Sequence, residues 1–107
     1  MKYSILNADD TPEQQGHCGW IRKLSTAGPA EFTHLKVHAA EMHYHKKSTE
    51  YYYVLDGSGK IKLDDEEIDL RKGDLLTIEP GVRHQAKGDL EVLVIAVPPA
   101  GEDHYFF

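Results

Sequence analysis

The chain has 107 residues, of which 40% are apolar and 28% charged, with one cysteine, seven histidines and a formal net charge of -6. This length predicts a single domain over residues 1–107, with a hydrophobic core that needs no disulfide. The excess of acidic over basic residues argues against nucleic acid as a partner, and the longest apolar run, residues 92–97, is too short to cross a bilayer. The lone Cys18 and an N-terminus without a signal-peptide core predict a cytoplasmic protein.

The first half of the chain carries three strand signals. Residues 20–24 and 32–37 predict two strands, separated by a loop over residues 25–29. Residues 51–55 are dense in aromatic and branched side chains and predict a third strand. The sequence Asp56-Gly57-Ser58-Gly59 is typical of a turn, so we expect the third strand to end there.

The second half continues with the same two-residue period. Residues 60–63 and 67–70 alternate polar and apolar side chains and predict a hairpin with one solvent-exposed face. Residues 75–78 and 90–97 predict two further strands. The remaining turn signals lie at residues 71–74, 79–81 and 87–89.

This pattern predicts an all-β protein. No stretch of ten or more residues has the amphipathic periodicity of a helix, so we expect roughly eight to ten short strands. Such strands, with turn signals about every 8 to 12 residues, are typical of a sandwich or a small barrel. The aromatic C-terminal sequence His104-Tyr105-Phe106-Phe107 is expected to pack against this body.

His43 and His45 form the first candidate for a functional site. On an extended strand two residues separated by one share a face, with Cα atoms about 6.5–7 Å apart, so both imidazoles can reach one metal ion. Taken alone, the pair is weak evidence for a metal, because two solvent-exposed polar residues in a strand or loop are the commoner explanation. Glu50 follows at the head of a predicted strand and His84 follows a tight turn, which adds a carboxylate and a third imidazole from strands that can be neighbours in a barrel. The four residues are a mixed nitrogen and oxygen ligand set.

The other histidines follow no comparable spacing, and we interpret them as background. They are His17, His34, His38 and His104.

With these residues the sequence resembles the cupin superfamily, specifically its small single-domain microbial members. The first family motif, over about residues 37–57, reads His43-Tyr44-His45, four residues, Glu50, six residues, Gly57. The second, over about residues 73–88, reads Gly73, five residues, Glu79-Pro80-Gly81, two residues, His84. The chain departs from the family at three turn positions, where it has Val37 for glycine, Glu79 for proline and Gly88 for asparagine.

The resemblance implies a double-stranded β-helix, a jelly-roll barrel of two antiparallel sheets with the site inside. It implies that His43, His45, Glu50 and His84 bind one divalent metal ion per chain, and iron, manganese, nickel, zinc and copper all suit such a set. It also implies a homodimer, for which Trp20, Ile21 and the aromatic tail offer apolar surface.

We therefore expect a metal-dependent enzyme that acts on a small polar molecule, either as an iron(II) dioxygenase or as a sugar isomerase or epimerase. The alternative is a metal-containing module that binds or senses a small ligand without turnover. The strand period places Tyr52 on the same face as Glu50, where it is either a catalytic hydroxyl or barrel packing. Arg83 is interpreted as a solvated turn residue, and Cys18 as a small buried residue without a catalytic role.

Overall fold

The computed structural model describes residues 3–25 and 28–106. Nine strands are found in this part of the chain, together with a short 3-10 helix at Ala8–Asp10. The strands are β1 (Gln14–Gln15), β2 (Gly19–Ser25), β3 (Glu31–Val37), β4 (His43–Tyr44), β5 (Thr49–Leu63), β6 (Glu66–Arg71), β7 (Leu75–Ile78), β8 (His84–Val97) and β9 (Tyr105–Phe106). No helix among these residues is long and apolar enough for a membrane crossing.

The two long strands β5 and β8 are antiparallel partners over almost their whole lengths. The first half of β5 and the second half of β8 belong to one layer, which continues through β7 on one side and through β3, β2 and β1 on the other. The second half of β5 and the first half of β8 belong to a second layer, together with β6, β4 and β9. All these pairings are antiparallel, so the expected all-β jelly-roll architecture is confirmed.

Two of the expected turns are wrong. The chain does not reverse at residues 56–59 or at residues 87–89, because β5 and β8 run through these positions. Leu55 instead forms a bulge in β5. Gly59 lies opposite Gly88, and an added Cβ on Gly57 would lie 1.9 Å from the carbonyl oxygen of Asp89. The glycines thus allow two bent strands to approach closely, and this use of glycine gives the same local signal as a turn.

The side chains of β5 alternate between the interior and solvent. Glu50, Tyr52 and Val54 are buried, whereas Tyr53 and Leu55 are exposed, as the two-residue period predicts. The inward residues of both layers form one apolar core. Its buried members are Leu35, Tyr52, Val54, Ile61, Leu70, Ile78, Ala86, Leu90, Val92 and Val94.

The C-terminal sequence packs on the barrel as expected. Strand β9 pairs with β4, with Tyr105 opposite Tyr44 and Phe106 opposite His43. Phe107 lies outside the described residues. Ile21 packs against the core, so it is not the surplus apolar surface that the sequence suggested.

Replacing Gly57 by alanine is expected to destabilise the protein more than the same change at Gly73. Both glycines have a positive φ, of 82° and 93°, which costs an alanine about 1–2 kcal/mol. Only at Gly57 does the new methyl group also collide with backbone, which adds about 1–3 kcal/mol. Urea unfolding of Gly57→Ala and Gly73→Ala measures the difference. Equal losses of unfolding free energy in the two variants would mean that the close approach of the strands at Gly57 is unimportant for stability.

Candidate metal centre and its cavity

The structure brings the four predicted ligand residues together inside the barrel. His43 lies on β4, Glu50 on β5 and His84 at the start of β8, while His45 follows β4. His43 and His84 are direct register partners, which fixes two imidazoles side by side. All four side chains are buried, and each offers a ligand atom that lies within 4.8 Å of the others.

Backbone carbonyls orient all three imidazoles. The Nδ1 atoms of His43 and His84 lie 3.0 and 2.9 Å from the carbonyl oxygens of Glu41 and Val82, and Nδ1 of His45 lies 2.5 Å from that of Asp103. Since a carbonyl oxygen only accepts, each Nδ1–H donates, and Nε2 is left as the nitrogen available to a metal. This arrangement is the usual one for histidines that bind metals.

Three polar atoms at the centre of the cluster have no conventional partner. Nε2 of His45 and Nε2 of His84 lie 3.0 and 3.1 Å from Oε1 of Glu50. These atoms are buried, and none has a hydrogen-bond partner within the described ranges. Lone pairs that face one another at such distances repel, so a proton or a metal cation has to lie between them.

The charges of the cluster suit a cation. Burial alone would raise the pKa of the Glu50 carboxyl, but the adjoining His45 and His84 hold that pKa at about 2. Burial and the neighbouring His84 lower the pKa of His43 to about 4. At neutral pH the site therefore has an ionised carboxylate and a neutral imidazole, which are the metal-binding forms of these groups. Glu50 also raises the pKa of His45 although burial opposes this, so a metal ion would compete with a proton there.

A cavity of about 470 Å³ adjoins the cluster and falls in the size range of small-molecule sites. Its wall mixes apolar side chains with nine residues that have polar or charged side chains. The lining residues are Gly16, His17, Cys18, Ile21, Lys23, Glu31, Thr33, Leu35, His43, Glu50, Tyr52, Val94, Gly101, Glu102, His104 and Phe106.

Tyr52 lies in this cavity, on the same strand and the same face as Glu50. Its ring centroid is 6.2 Å from that of His84. Burial, together with the nearby Glu50, raises the pKa of the Tyr52 hydroxyl well above its usual value. The hydroxyl therefore keeps its proton and can donate a hydrogen bond to a bound molecule.

Cys18 is half-buried at the edge of the metal cluster. Its Sγ lies 3.7 Å from Nδ1 of His43, and the side chain lines the cavity. Burial, with a smaller effect of Glu50, raises the pKa of its thiol to about 12. This shift favours the protonated thiol, which is a poor nucleophile. The side chain is less buried than the sequence suggested.

His17 and His104, which we interpreted as background, both line the cavity without belonging to the four-residue cluster. The ring of His104 lies 4.6 Å from that of His45 and 5.8 Å from that of His43, measured between centroids. Sequence spacing did not reveal His104 because β9 brings it to the site through pairing with β4. The aromatic residues of the C-terminal sequence were the one feature that indicated packing of this segment against the barrel.

The charged residues around the second motif lie elsewhere. Arg83 is exposed, and its Nε lies 3.5 Å from the carboxylate of Asp64. Glu79 is exposed as well. Neither is among the cavity-lining residues of the described chain, which agrees with the interpretation of Arg83 as a turn residue.

Solved structures share this architecture. A crystal structure of a protein from Planctomyces limnophilus is 25% identical and has a TM-score of 0.90, covering 97% of this chain and 96% of that one. Pac13, a nucleoside dehydratase from Streptomyces, is 21% identical with a TM-score of 0.88, covering 100% of this chain and 92% of that one. At these identities the likeness to Pac13 concerns the fold alone.

Relatives by sequence come from an archaeon and a bacterium. The uncharacterized protein MJ1618 of Methanocaldococcus jannaschii is 36% identical over 62 residues, which are 54% of this chain and half of that protein's length. Protein SchB of Streptomyces halstedii is 33% identical over 101 residues, covering 85% of this chain and 73% of the relative. The family model described as a cupin domain matches residues 31–98, well over half of the sequence. The chain therefore belongs to the cupin family.

Proposed function

We propose that His43, His45, Glu50 and His84 bind one divalent metal ion, and that the protein is a metal-dependent enzyme acting on a small polar molecule. The observation that carries this proposal is the group of three buried, unpartnered atoms, Nε2 of His45, Nε2 of His84 and Oε1 of Glu50. Each histidine has already committed its Nδ1–H to a backbone carbonyl, so a bound cation satisfies the lone pairs that remain. Imidazole and carboxylate ligands suit iron, manganese, nickel, zinc or copper.

The protein would supply the environment in which such a metal acts. When bound, the metal provides Lewis acidity, or redox chemistry where it is iron, manganese or copper. Leu35, Val94 and Phe106 supply apolar surface to the cavity wall. Tyr52 keeps its proton and donates a hydrogen bond to a ligand that approaches Glu50 and His43.

Two reaction classes fit this environment, a dioxygenase and an isomerase or epimerase. Both reactions need a cavity in which a small oxygen-bearing molecule lies beside the metal. His43 and Glu50 lie in the cavity wall, which supports such a placement. The nucleoside dehydratase Pac13 has the same fold and acts on a small polar molecule, which supports an enzyme over a module that only binds a ligand. Fold likeness does not choose the reaction.

Purified protein is expected to contain about one metal ion per chain, and His43→Ala and His84→Ala are expected to lose it, since each removes a ligand. Elemental analysis measures the metal content. His34→Ala is the matched control, because His34 pairs with Glu91 outside the cavity. Added metal should raise the Tm of the parent, by an amount equivalent to about 2.7 kcal/mol at a hundredfold excess over Kd. Ligand variants that hold as much metal as the parent would refute the site.

Metal-loaded protein is expected to turn over a member of one of two substrate panels. Iron(II)-loaded protein is tested for dioxygen consumption with diketones, thiols and catechols, and zinc-loaded protein for isomerisation of sugar phosphates. Oxygen consumption that His84→Ala abolishes would identify a dioxygenase, whereas isomerisation without oxygen uptake would identify the second class. Ligand binding without any turnover would favour the alternative of a binding or sensing module.

Tyr52→Phe is expected to leave the metal content unchanged and to lower kcat by about 10²-fold, because it removes one hydrogen-bond donor from the reacting centre. Tyr53→Phe is the control, since Tyr53 lies on the same strand and points outward. Metal content and kcat are measured for both variants. An unchanged kcat in Tyr52→Phe would mean that this tyrosine only packs in the barrel.

The homodimer and the cytoplasmic location expected from the sequence stay predictions. Exposed apolar side chains support a dimer, since Trp20, Tyr53 and Leu75 expose 40%, 42% and 62% of their surface.

A further inference from the structure

His45 differs from the other two histidines in what orients its ring. The carbonyls that accept from His43 and His84 belong to residues two positions earlier in the chain, so local backbone provides them. The carbonyl that accepts from His45 belongs to Asp103, 58 residues later. The orientation of His45 therefore depends on where the C-terminal segment lies.

The side chain of Asp103 holds that segment in place. Its Oδ1 accepts a hydrogen bond from the backbone N–H of Lys46 at 2.9 Å, and its Oδ2 accepts from Lys47 at 2.9 Å and Ser48 at 3.1 Å. A carboxylate makes stronger hydrogen bonds to N–H groups than a neutral acceptor does. Asp103 thus binds the loop after His45 with its side chain while its own carbonyl contacts the His45 ring.

Other contacts join the same two segments. Ser48 is buried, and its hydroxyl donates to the carbonyl of Pro98 at 2.8 Å. The rings of Tyr44 and Tyr105 stack with centroids 5.2 Å apart, and Nζ of Lys46 lies 4.2 Å from the Tyr105 ring centroid. The family match ends at residue 98, so residues 99–106 lie outside the matched domain.

Residues 99–106 also form one wall of the cavity, through Gly101, Glu102, His104 and Phe106. Among these contacts, Asp103 is the one that touches both the His45 ring, through its carbonyl, and the loop after His45, through its side chain.

We propose that Asp103 is a positioning residue of the metal centre, which fastens the C-terminal segment to the loop of residues 46–48 and so holds the His45 ring with Nε2 turned toward Glu50. This inference rests on the proposed function for its metal and on the contacts above for its geometry. Residues that orient metal-binding histidines commonly change metal affinity by about 10–100-fold when they are replaced.

Asp103→Ala is expected to weaken zinc binding by about 10–100-fold, measured by competition with a chromophoric chelator. Asp103→Asn should fall between this variant and the parent, because an amide oxygen still accepts hydrogen bonds from N–H groups but carries no charge. Asp69→Asn is the matched control, since Asp69 is an exposed aspartate that only pairs with Lys60 at 3.0 Å. Circular dichroism of the metal-free variants tests whether they are folded. If Asp103→Ala is unfolded, the zinc affinity of Asp103→Asn tests the inference instead.

A second readout separates positioning from a general loss of stability. In cobalt(II)-loaded protein the visible absorption bands report the ligand geometry, and we expect them to shift in Asp103→Ala and to match the parent in Asp69→Asn. Zinc affinity and cobalt spectra that equal those of the parent in a folded Asp103→Ala would overturn the inference.

A third readout is independent of metal. In metal-free protein, NMR of labelled imidazoles should show a protected Nδ1 proton on His45 that becomes exchangeable in Asp103→Ala. If the parent binds no metal, the proposed function fails, and the Nδ1 proton still decides the role of Asp103. If that proton is unchanged in Asp103→Ala, the inference fails whether or not metal binds.

Discussion

Strands β5 and β8 are paired from Thr49 opposite Val97 to Leu63 opposite His84, and the metal cluster depends on the bend in this pair. Glu50 lies opposite Ala96, which is twelve positions along β8 from His84. If the paired strands were straight, Glu50 and His84 would therefore be about 40 Å apart. Their side chains are 3.1 Å apart. The bulge at Leu55 and the close backbone contacts of Gly57 and Gly59 fold the pair so that the two layers face each other across the interior.

The same bend places polar groups in an apolar interior. An unsatisfied buried polar atom costs about 1–3 kcal/mol, and small domains are stable by only about 5–15 kcal/mol in total. The three unpartnered atoms of His45, Glu50 and His84 would therefore use a large share of that stability. A cation bound as proposed would remove this penalty, so folding and metal binding would then favour one another.

Much of the fold and of the cluster could be predicted because both depend on short-range patterns. Alternation of side chains located the inward face of β5. The spacing of His43, His45, Glu50 and His84 identified the cluster only together with the resemblance to the cupin superfamily. The unbroken course of β5 and β8 could not be predicted, because a glycine needed for close strand approach gives the same local signal as one in a turn. His104 was missed for a related reason, since its position depends on pairing between β9 and β4, far apart in sequence.

The residues that line the cavity come partly from the matched domain and partly from the segments before and after it. Nine of its sixteen lining residues lie outside residues 31–98, in the segment before β3 and in the segment after β8. The four cluster residues and Tyr52 lie inside that range. A small molecule beside Glu50 would therefore contact residues inside the family match on one side and walls that lie outside it on the other. These outer walls include Lys23, Glu102 and His104, so charged and polar side chains from outside the family match face the cavity beside the four cluster residues.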